Sequence, residues 1–460
     1  MSLTRGQLDG LRACGNAEIL TDPAQRLAYG YDNSKQQAQP DAVVLAEDSA
    51  TIAALARWCS AQRVPLVVRG AGTNTVGATV PTRGGIVLSL ERMHRIIEFS
   101  PENQYLRCQA GTRNGDVQTR AQDAGLFWPP DPTSSGFSTV GGNLGCNAGG
   151  PRAVKYGTCR DNILGLTAVT GDGRIIEAGC RTTKGVVGYD LTRLLVGSEG
   201  TLAIITEATL LLRAQAEARW SIRAAYASVE AAAAAVSAMM AQPVRPCALE
   251  FMDATAVKLV REHGGVELPG DTQALLLIDI DGAAERLADD AATLRHFATH
   301  NALLDWSVAS DPSAAAGLWQ ARKALSPCLR SLAPQKINED VVVPVSRLPE
   351  LIERLQQISA QFALPIVNFG HAGNGNVHVN ILADFAIAAQ RAAVEPCLEA
   401  VFGCVLELGG TLSGEHGVGL AKRAFVAREV TPSSLALMHQ IKQVFDPVGI
   451  LNPDKTLPAI

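Results

Sequence analysis

Two histidines flank a glycine-rich turn in the segment Asn368–Asn380, which reads NFGHAGNGNVHVN. The central Asn-Gly dipeptide predicts a two-residue β-hairpin turn, because both residues tolerate the positive φ that such a turn requires. Counting outward from this turn pairs His371 with His378, which would bring their Cβ atoms to roughly 4.5–5.5 Å. Asn380 would share the face of His378, since side chains alternate along a strand. The spacing therefore predicts two neighbouring imidazoles with an amide beside them.

A third metal ligand is available in Ser413–Gly417, where flanking glycines allow the backbone to present Glu415 and His416 together. Neutral imidazole binds zinc, iron or manganese in preference to calcium or magnesium. His371, His378 and Glu415 would leave a fourth position open, which is the arrangement of a catalytic metal site. A single such histidine is most often an ordinary polar residue. Three of the eight histidines on two glycine-rich loops, with a carboxylate, favour a divalent metal site, with zinc as the expected ion.

The composition is that of a globular protein with a large core. The residues are 47% hydrophobic and 18% charged, which is typical of such proteins. The length of 460 residues predicts two or three domains. A net charge of −5 with scattered lysine and arginine argues against a nucleic acid partner. The ten cysteines contain no CxxC pair, which argues against an iron–sulfur cluster or a zinc ribbon and is typical of reduced thiols in a cytoplasmic protein.

The chain also lacks the patterns of a secreted or membrane-spanning protein. Residues 1–15 have no continuous apolar core of the kind found in a signal peptide. No apolar run is long enough to span a bilayer, so the sequence predicts no transmembrane segment. We therefore expect a cytoplasmic protein, and any membrane contact, at the inner face of the membrane, would be peripheral.

The first glycine loop, Arg69–Gly77, reads RGAGTNTVG and follows a predicted strand, Val64–Val68. Its glycine density would allow backbone N–H groups to approach phosphate oxygens closely. A Rossmann loop is the first alternative, and Glu91 mimics the ribose-binding acid of that motif. A helix should then follow, yet Val76–Gly85 contains a proline and several glycines that a helix would not tolerate. We therefore predict that this loop runs between strands.

The second glycine loop, Pro129–Gly150, reads PPDPTSSGFSTVGGNLGCNAGG. This composition predicts neither helix nor strand, and the segment is too long for a plain connection. A disordered linker is the alternative, but the apolar residues in and beside the segment require burial: Phe127, Trp128, Phe137, Val140 and Leu144. These features favour a loop that wraps a cofactor. A third glycine-rich segment, Val196–Thr206, leads into another strand.

The three segments together resemble the FAD-binding domain of the vanillyl-alcohol oxidase and p-cresol methylhydroxylase superfamily. NFGHAGNGNVHVN, SGEHGVG and DPVGILNP resemble its D-2-hydroxy acid branch, which contains D-lactate dehydrogenases, D-2-hydroxyglutarate dehydrogenases and the catalytic subunit of glycolate oxidase. The resemblance extends over roughly residues 41–457.

The resemblance implies an α+β protein with a FAD-binding domain of the p-cresol methylhydroxylase type at residues 1–213. A substrate-binding α+β cap domain with an antiparallel sheet follows at residues 214–430, and residues 431–460 return to the FAD domain. Long amphipathic helices alternating with strands after Ala214 favour the same kind of cap.

By this resemblance the cofactor is FAD, with its pyrophosphate against the first glycine loop. The implied FAD-binding residues are Arg69, Gly70, Gly72, Thr73, Asn74, Thr75, Gly77, Pro130, Asp131, Gly141, Gly142, Asn143, Cys146, Asn147, Gly200, Ile204 and Asn452. Members that bond the flavin covalently often have a histidine in the first loop, where this sequence has Thr73. We therefore expect non-covalent FAD.

The segment WQAR, which ends at Arg322, resembles the substrate-pocket motif of the family and implies that this arginine binds the substrate carboxylate. Ser326, one helical turn later, would share that face. Lys336 is a further candidate, but its spacing differs by two residues from that of the hydroxyglutarate enzymes, which leaves Asn338 at the matching position. The alternatives for Ser326 and Lys336 are a helix-surface serine and a solvated lysine.

The implied reaction removes a hydroxyl proton and a C2 hydride from a D-2-hydroxy acid. A metal would act as a Lewis acid toward the substrate oxygens. His416 would take the proton as general base, and Arg322 and Asn380 would hold the substrate. The hydride would pass to FAD, and a quinone, a cytochrome or an electron-transfer flavoprotein would then accept the electrons. A short monocarboxylate such as D-lactate is favoured over D-2-hydroxyglutarate, and a homodimer is one compatible assembly.

Two other functional classes remain open from the residues alone. A transferase of the ether-lipid synthase type shares the flavin fold but makes no net redox change, so reduction of the flavin by a 2-hydroxy acid distinguishes the two. A non-catalytic flavoprotein subunit, of the kind found beside glycolate oxidase subunits, is the other class. The presence of all the proposed histidine and glutamate groups argues against it.

Overall fold

The computed structural model describes residues 3–263, 267–299, 301–329 and 332–459. The strands are β1 Glu18–Leu20, β2 Ala42–Leu45, β3 Leu66–Arg69, β4 Ile86–Ser89, β5 Ile96–Ser100, β6 Tyr105–Gln109, β7 Leu126–Phe127, β8 Ile163–Thr170, β9 Ile175–Gly179, β10 Ala203–Leu211, β11 Arg213–Ala214, β12 Ala218–Tyr226, β13 Ala248–Met252, β14 Ala274–Gly282, β15 Leu303–Ala309, β16 Gln335–Val342, β17 Ile366–Gly370 and β18 Asn376–Ala383.

The helices are α1 Arg5–Arg12, α2 Pro23–Leu27, α3 Ser49–Gln62, α4 Asn114–Gln122, α5 Val140–Cys146, α6 Ala153–Tyr156, α7 Leu191–Leu195, α8 Val229–Met240, α9 Ala254–His263, α10 Leu287–Ala298, α11 Pro312–Cys328, α12 Leu348–Phe362, α13 Ala388–Glu407, α14 Val426–Glu429 and α15 Pro432–Phe445. None of the described helices is long and apolar enough to cross a membrane.

The chain divides into two compact units. The first unit consists of Met1–Gly150, Gly157–Gln215 and Glu415–Ile460, and the second of Pro151–Tyr156 and Ala216–Gly414. Residues 415–430, which we predicted to lie in the cap, therefore belong to the first unit. The physical reason is that the backbone N–H groups of Leu420 and Ala421 donate to the carbonyl of Val76, at 2.8 and 3.1 Å.

The short excursion Pro151–Tyr156 is a second departure from the predicted boundaries. We assigned these residues to the FAD-binding domain, but they belong to the second unit. The Lys155 ammonium group and the Tyr156 hydroxyl both bind Asp281, which lies in that unit. This ion pair and hydrogen bond account for the assignment.

The first unit contains two main sheets. One has the order β1-β2-β4-β3, in which β2, β4 and β3 are parallel, and the other is antiparallel with the order β5-β6-β10-β8-β9. Strands β2 and β4 are buried along their whole length, as expected for the continuous apolar runs of a parallel sheet. The loop 70–85 between β3 and β4 contains no helix, as predicted.

The second glycine loop contains a helix that we did not predict. Helix α5 begins after Thr139, whose hydroxyl accepts a hydrogen bond from the backbone N–H of Gly142. Val140 and Leu144 on this helix are completely buried. The cap and this apolar burial together offset the poor helix propensity of its glycines.

The second unit is built on one antiparallel sheet with the order β15-β12-β14-β13-β17-β18-β16. Helices α9 and α11 pack on one face, where their apolar residues join Met252, Leu277 and Phe369 in a buried cluster. The predicted α+β cap with an antiparallel sheet is thus confirmed. The proposed histidine ligands lie on β18 and at the end of β17, in the interior of this sheet.

Candidate active site

The turn that joins β17 to β18 differs from the predicted hairpin. Phe369, rather than His371, lies opposite His378, and Ala372–Asn374 forms a single 3-10 turn. The predicted register was therefore wrong by two residues. Gly375 adopts a φ of 72°, and a Cβ there would overlap the carbonyl oxygen of Val343, so the connection is shaped by packing as well as by turn preference.

The two imidazoles are nevertheless neighbours. The ring centroids of His371 and His378 are 5.1 Å apart, with an angle of 84° between the ring planes. Both residues are almost completely buried, with relative exposures of 5% and 6%. The predicted proximity of the two imidazoles is therefore observed, and their role as metal ligands stays a prediction.

Glu250 on β13 fixes the orientation of His371. Its carboxylate binds His371 Nδ1 and also accepts a hydrogen bond from Arg322 Nε at 2.7 Å. Because a carboxylate only accepts hydrogen bonds, Nδ1 of His371 carries a proton, so Nε2 is the nitrogen that would bind a metal when the imidazole is neutral. A carboxylate behind a metal-ligating histidine is the usual support for such a ligand.

The charge on Glu250 is maintained although the residue is buried. Burial alone would raise the pKa of this carboxyl group, but the charges and hydrogen bonds of His371 and Arg322 together lower it well below its usual range. Arg322 in turn lies over the ring of Phe369, with its guanidinium carbon 4.7 Å from the ring centroid. The arginine predicted to bind substrate is thus held by an ion pair and by an aromatic face.

Asp340 on β16 lies opposite His378 and holds the segment that leads to Glu415. Its carboxylate accepts hydrogen bonds from the backbone N–H of Gly414 at 2.9 Å and from Asn376 Nδ2 at 2.6 Å. A Cβ at Gly414 would lie 2.6 Å from Asn376 Nδ2, so a side chain would not fit without movement of the amide. The chain therefore leaves the second unit at a point fixed beside His378.

The remaining predicted substrate residues differ in their surroundings. Asn338 lies opposite Asn380, and its Nδ2 donates to Asn380 Oδ1 at 2.6 Å. Lys336 is on the same face of β16, two residues away, and is exposed. Ser326 lies on α11, but its side chain falls outside the described part of the structure. Asn338 is thus a direct neighbour of Asn380, and the substrate roles of these residues stay predictions.

Glu415 and His416 begin the last segment of the first unit. The Glu415 carboxylate accepts hydrogen bonds from the backbone N–H groups of Gly149 and Gly150, at 3.3 and 2.6 Å. The carbonyl of His416 accepts one from Asn74 Nδ2 at 3.0 Å. Both residues are therefore attached to the two glycine loops predicted to hold the cofactor.

The two glycine loops and the C-terminal segment meet within the first unit. A Cβ at Gly70 would overlap the hydroxyl of Thr139, the residue that caps α5, so the loops approach each other through glycine. Asn452 Nδ2 donates to the carbonyls of Ala78 and Glu199, at 3.0 and 2.6 Å. A surface of closely packed backbone such as this one fits the pyrophosphate and ribose of a dinucleotide.

The side chains of the predicted FAD residues have several different roles in the structure. Arg69 is buried and donates to the carbonyl of Tyr31 and to the hydroxyl of Thr79, so its contact with a cofactor would come from its backbone. Asn74 joins the loops through Cys146 Sγ at 3.2 Å. Burial raises the pKa of the Cys146 thiol to about 12, which keeps it protonated at neutral pH.

Three buried carboxylates that hydrogen-bond to predicted site residues or to their neighbours in the same unit were not predicted. Glu250 interrupts the apolar strand ALEFM and Asp340 precedes VVV, so an acid within a buried run was the available signal for both. Glu199 lies in the third glycine-rich segment with a φ of 52°, and its carboxylate accepts hydrogen bonds from the backbone N–H groups of Val418 and Gly419. Burial is the larger effect and raises the pKa of Glu199 above its usual value, and these hydrogen bonds offset the rise only in part.

The chain matches two known protein families. Residues 40–179 match the FAD binding domain family, and residues 215–456, more than half of the chain, match the C-terminal domain family of FAD linked oxidases. The chain belongs to the FAD-linked oxidase family. The FAD-binding fold and the oxidoreductase class predicted from the motifs are thereby confirmed.

This member of the FAD-linked oxidase family is similar to other proteins over nearly its whole length. It is 38% identical to the glycolate oxidase subunit GlcD of Bacillus subtilis, over 94% of this chain and 92% of that protein. It is 34% identical to a D-lactate dehydrogenase of Anaerostipes hadrus (91% and 90%) and 32% identical to a D-2-hydroxyglutarate dehydrogenase of Stutzerimonas stutzeri (96% and 96%). The protein is thus a FAD-linked oxidoreductase of the D-lactate, D-2-hydroxyglutarate and glycolate oxidase type.

Solved structures share the fold at low sequence identity. p-Cresol methylhydroxylase with bound substrate superimposes with a TM-score of 0.80 at 15% identity, covering 99% of this chain and 98% of that one. An alkyldihydroxyacetonephosphate synthase superimposes with a TM-score of 0.75 at 19% identity, covering 98% and 86%. Both likenesses concern the fold alone, so the second does not favour a transferase activity.

The first glycine loop leads to a prediction about how the flavin is attached. Thr73 occupies the position where covalent members often have a histidine, and a threonine hydroxyl is not expected to form the flavin bond. Acid precipitation of the oxidase should therefore release FAD into a yellow supernatant. A yellow pellet that yields a fluorescent flavin-bound peptide would contradict the prediction.

Proposed function

We propose that this protein is a FAD- and metal-dependent dehydrogenase that converts a short D-2-hydroxy acid, of the D-lactate type, to the 2-oxo acid. The observation that supports this most directly is the buried Glu250–His371 contact, because a carboxylate that fixes the imidazole tautomer prepares Nε2 to bind a metal. His378 would be the second ligand. Glu415, which directly follows the Gly414 held by Asp340, would be the third.

The residues of this chain would bind and orient the substrate and move one proton. FAD would supply the two-electron acceptor and the metal would supply Lewis acidity toward the substrate oxygens. Arg322, with Nε held by Glu250, would present its terminal nitrogens to the substrate carboxylate, and Asn380 would border the same pocket. His416 would accept the hydroxyl proton, since an imidazole has a pKa suited to general base catalysis near neutral pH.

Glu250→Gln tests the metal site directly. Glutamine keeps the size of the side chain but removes the charge that holds Nδ1 of His371, so zinc affinity should fall by about 10- to 100-fold. The measurement is calorimetric titration of metal-free protein with Zn²⁺. Asp279→Asn is a matched control, because Asp279 is also a fully buried carboxylate of the second unit but binds Arg219, Ser221 and Trp319.

Two outcomes of that titration would count against the proposal. If Glu250→Gln and the wild type bind zinc equally, the carboxylate does not support a ligand. If Asp279→Asn weakens zinc binding as strongly as Glu250→Gln does, the loss reflects general destabilisation of the sheet. Retained FAD absorbance in each variant shows that the first unit is intact.

Lys336 is the candidate residue for recognising a second carboxylate on the substrate. A second carboxylate, as in D-2-hydroxyglutarate, needs a cation to offset its desolvation. Lys336 is exposed on β16, and Asn338, at the matching position, is an uncharged amide hydrogen-bonded to Asn380, which argues against a cation for a second carboxylate. We expect kcat/KM to be higher for D-lactate than for D-2-hydroxyglutarate, with little change in Lys336→Ala.

The contrary result for substrate size is equally clear. A preference for hydroxyglutarate of more than about tenfold, or roughly 1.4 kcal/mol, that disappears in Lys336→Ala would identify the lysine as the distal carboxylate anchor. The glycolate oxidase relative leaves a third, smaller substrate to include in the same series.

We further propose that the electrons pass to a quinone, a cytochrome or an electron-transfer flavoprotein rather than to oxygen. The support is the likeness to proteins named as dehydrogenases. A cytoplasmic protein with peripheral contact to the inner face of the membrane, and a homodimeric assembly, would be consistent with this role. Peroxide production in air at the rate measured with dye acceptors would count against it.

A further inference from the structure

Glu199 is a buried acid with no assigned role in the proposed reaction. It is 5% exposed, and its carboxylate accepts hydrogen bonds from three groups of the first unit. These donors are the backbone N–H of Val418, the backbone N–H of Gly419 at 2.7 Å and the hydroxyl of Thr456 at 3.1 Å. Two of the three donors lie two and three residues after His416. The carboxylate thus holds the chain immediately downstream of the proposed base.

Gly417 makes this approach possible. It has a φ of 85°, and a Cβ at this position would overlap Oε1 of Glu199. Glu199 itself has a φ of 52°, a left-handed conformation that residues other than glycine rarely adopt. Both backbone conformations bring the Glu199 carboxylate against the residue that follows His416.

Asn74 holds His416 from the other side. Its Nδ2 donates to the carbonyl of His416 at 3.0 Å, and its Oδ1 accepts from the backbone N–H of Val76 at 2.9 Å. The side-chain amide of Asn74 therefore hydrogen-bonds to the carbonyl of His416. The Glu199 carboxylate hydrogen-bonds to the turn that follows. A hydrogen bond to a carboxylate is the stronger of these two kinds when the carboxylate is ionised.

We infer that Glu199 is a positioning residue for His416, because its carboxylate fixes the turn at residues 417–419 that orients the imidazole toward the substrate proton. This inference rests on the proposed role of His416 as general base. Catalysis depends steeply on such placement, and a displacement of about 1 Å can reduce a rate on the order of 10²-fold. A glutamine at position 199 would keep the shape but would offer an NH₂ group where a carboxylate oxygen now accepts a hydrogen bond.

The test is a double-mutant cycle on flavin reduction in the FAD-loaded holoenzyme. Glu199→Gln should slow anaerobic reduction by D-lactate about 10- to 100-fold in the wild-type background. The same substitution should change the rate less than about twofold in the His416→Ala background, because the group through which Glu199 acts is gone. A purely structural residue would slow both backgrounds by the same factor.

Asp446→Asn is the matched control. Asp446 is a buried carboxylate of the same unit that accepts hydrogen bonds from the backbone N–H groups of Gly449, Ile450 and Leu451. Within the part of the chain that the structure describes, the Asp446 carboxylate makes no hydrogen bond to residues 415–419. Any loss of rate should therefore be equal in the two backgrounds. FAD content and Tm are measured for every variant.

Each result supports or overturns the inference. Equal loss in both backgrounds, or no loss in either, overturns it. If Glu199→Gln does not fold, Gly417→Ala disturbs the same contact, and failure of both variants to load FAD identifies a folding role and also overturns the inference. If His416→Ala alone reduces its flavin at the wild-type rate, the proposed base itself is wrong. A slow His416→Ala with a normal Glu199→Gln contradicts only the positioning role.

Discussion

His378→Ala should abolish flavin reduction by D-lactate while FAD remains bound. His378 lies in the second unit, whereas every predicted FAD residue lies in the first, so the cofactor should be retained. Loss of this proposed ligand would remove the Lewis acid of the proposed mechanism, which would contribute several kcal/mol, so the rate should fall on the order of 10³-fold or more. Stopped-flow absorbance under anaerobic conditions measures the rate, and elemental analysis measures the metal.

His296→Ala is the matched control for this variant, because His296 is an exposed histidine on α10 of the same unit. It should keep both metal and rate. Treatment of the wild type with EDTA should reproduce the His378→Ala result, and added zinc should reverse it in the treated wild type only. Metal-free wild-type protein that reduces its flavin at the original rate would show that the metal has no catalytic role.

His416→Ala should keep FAD and metal but slow flavin reduction by about 10² to 10⁴, which is the usual contribution of a positioned general base. The backbone of residue 416 is bonded to Asn74 through its carbonyl, so removal of the imidazole leaves that anchor in place. His94→Ala, an exposed histidine of the first unit, serves as the control. A His416→Ala protein with an unchanged rate would exclude this residue as the base.

The loops predicted from glycine content were found where expected, because glycine density reports a local backbone requirement. Residues 70–85 join two strands without a helix, as the proline and glycines of that segment indicated. The antiparallel sheet of the second unit was also predicted from local alternation and from resemblance. These features depend on residues that are close in sequence, so the sequence contained the signal.

The errors arose where distant residues decide the local structure. The Asn-Gly pair favoured a tight hairpin, but the packing of Gly375 against Val343 and the pairing of Phe369 with His378 set a different register. The Glu250–His371 contact spans 121 residues and the Glu199–Gly419 contact spans 220. Spacing along the chain cannot reveal such partners. A lone acid inside an apolar strand marks only that some partner must exist.

The order of segments in the first unit bears on how the protein is made. Leu66 at the start of β3 bonds to Ile450 and to Asn452, so a strand near the beginning of the chain is completed by residues near its end. The whole second unit, Pro151–Tyr156 and Ala216–Gly414, is translated between them. During synthesis a ribosome therefore exposes β3 and the first glycine loop long before their final partners emerge, while Ala216–Gly414 can fold as one stretch. Flavin loading should accordingly be a late event in biogenesis, after the second unit has already formed.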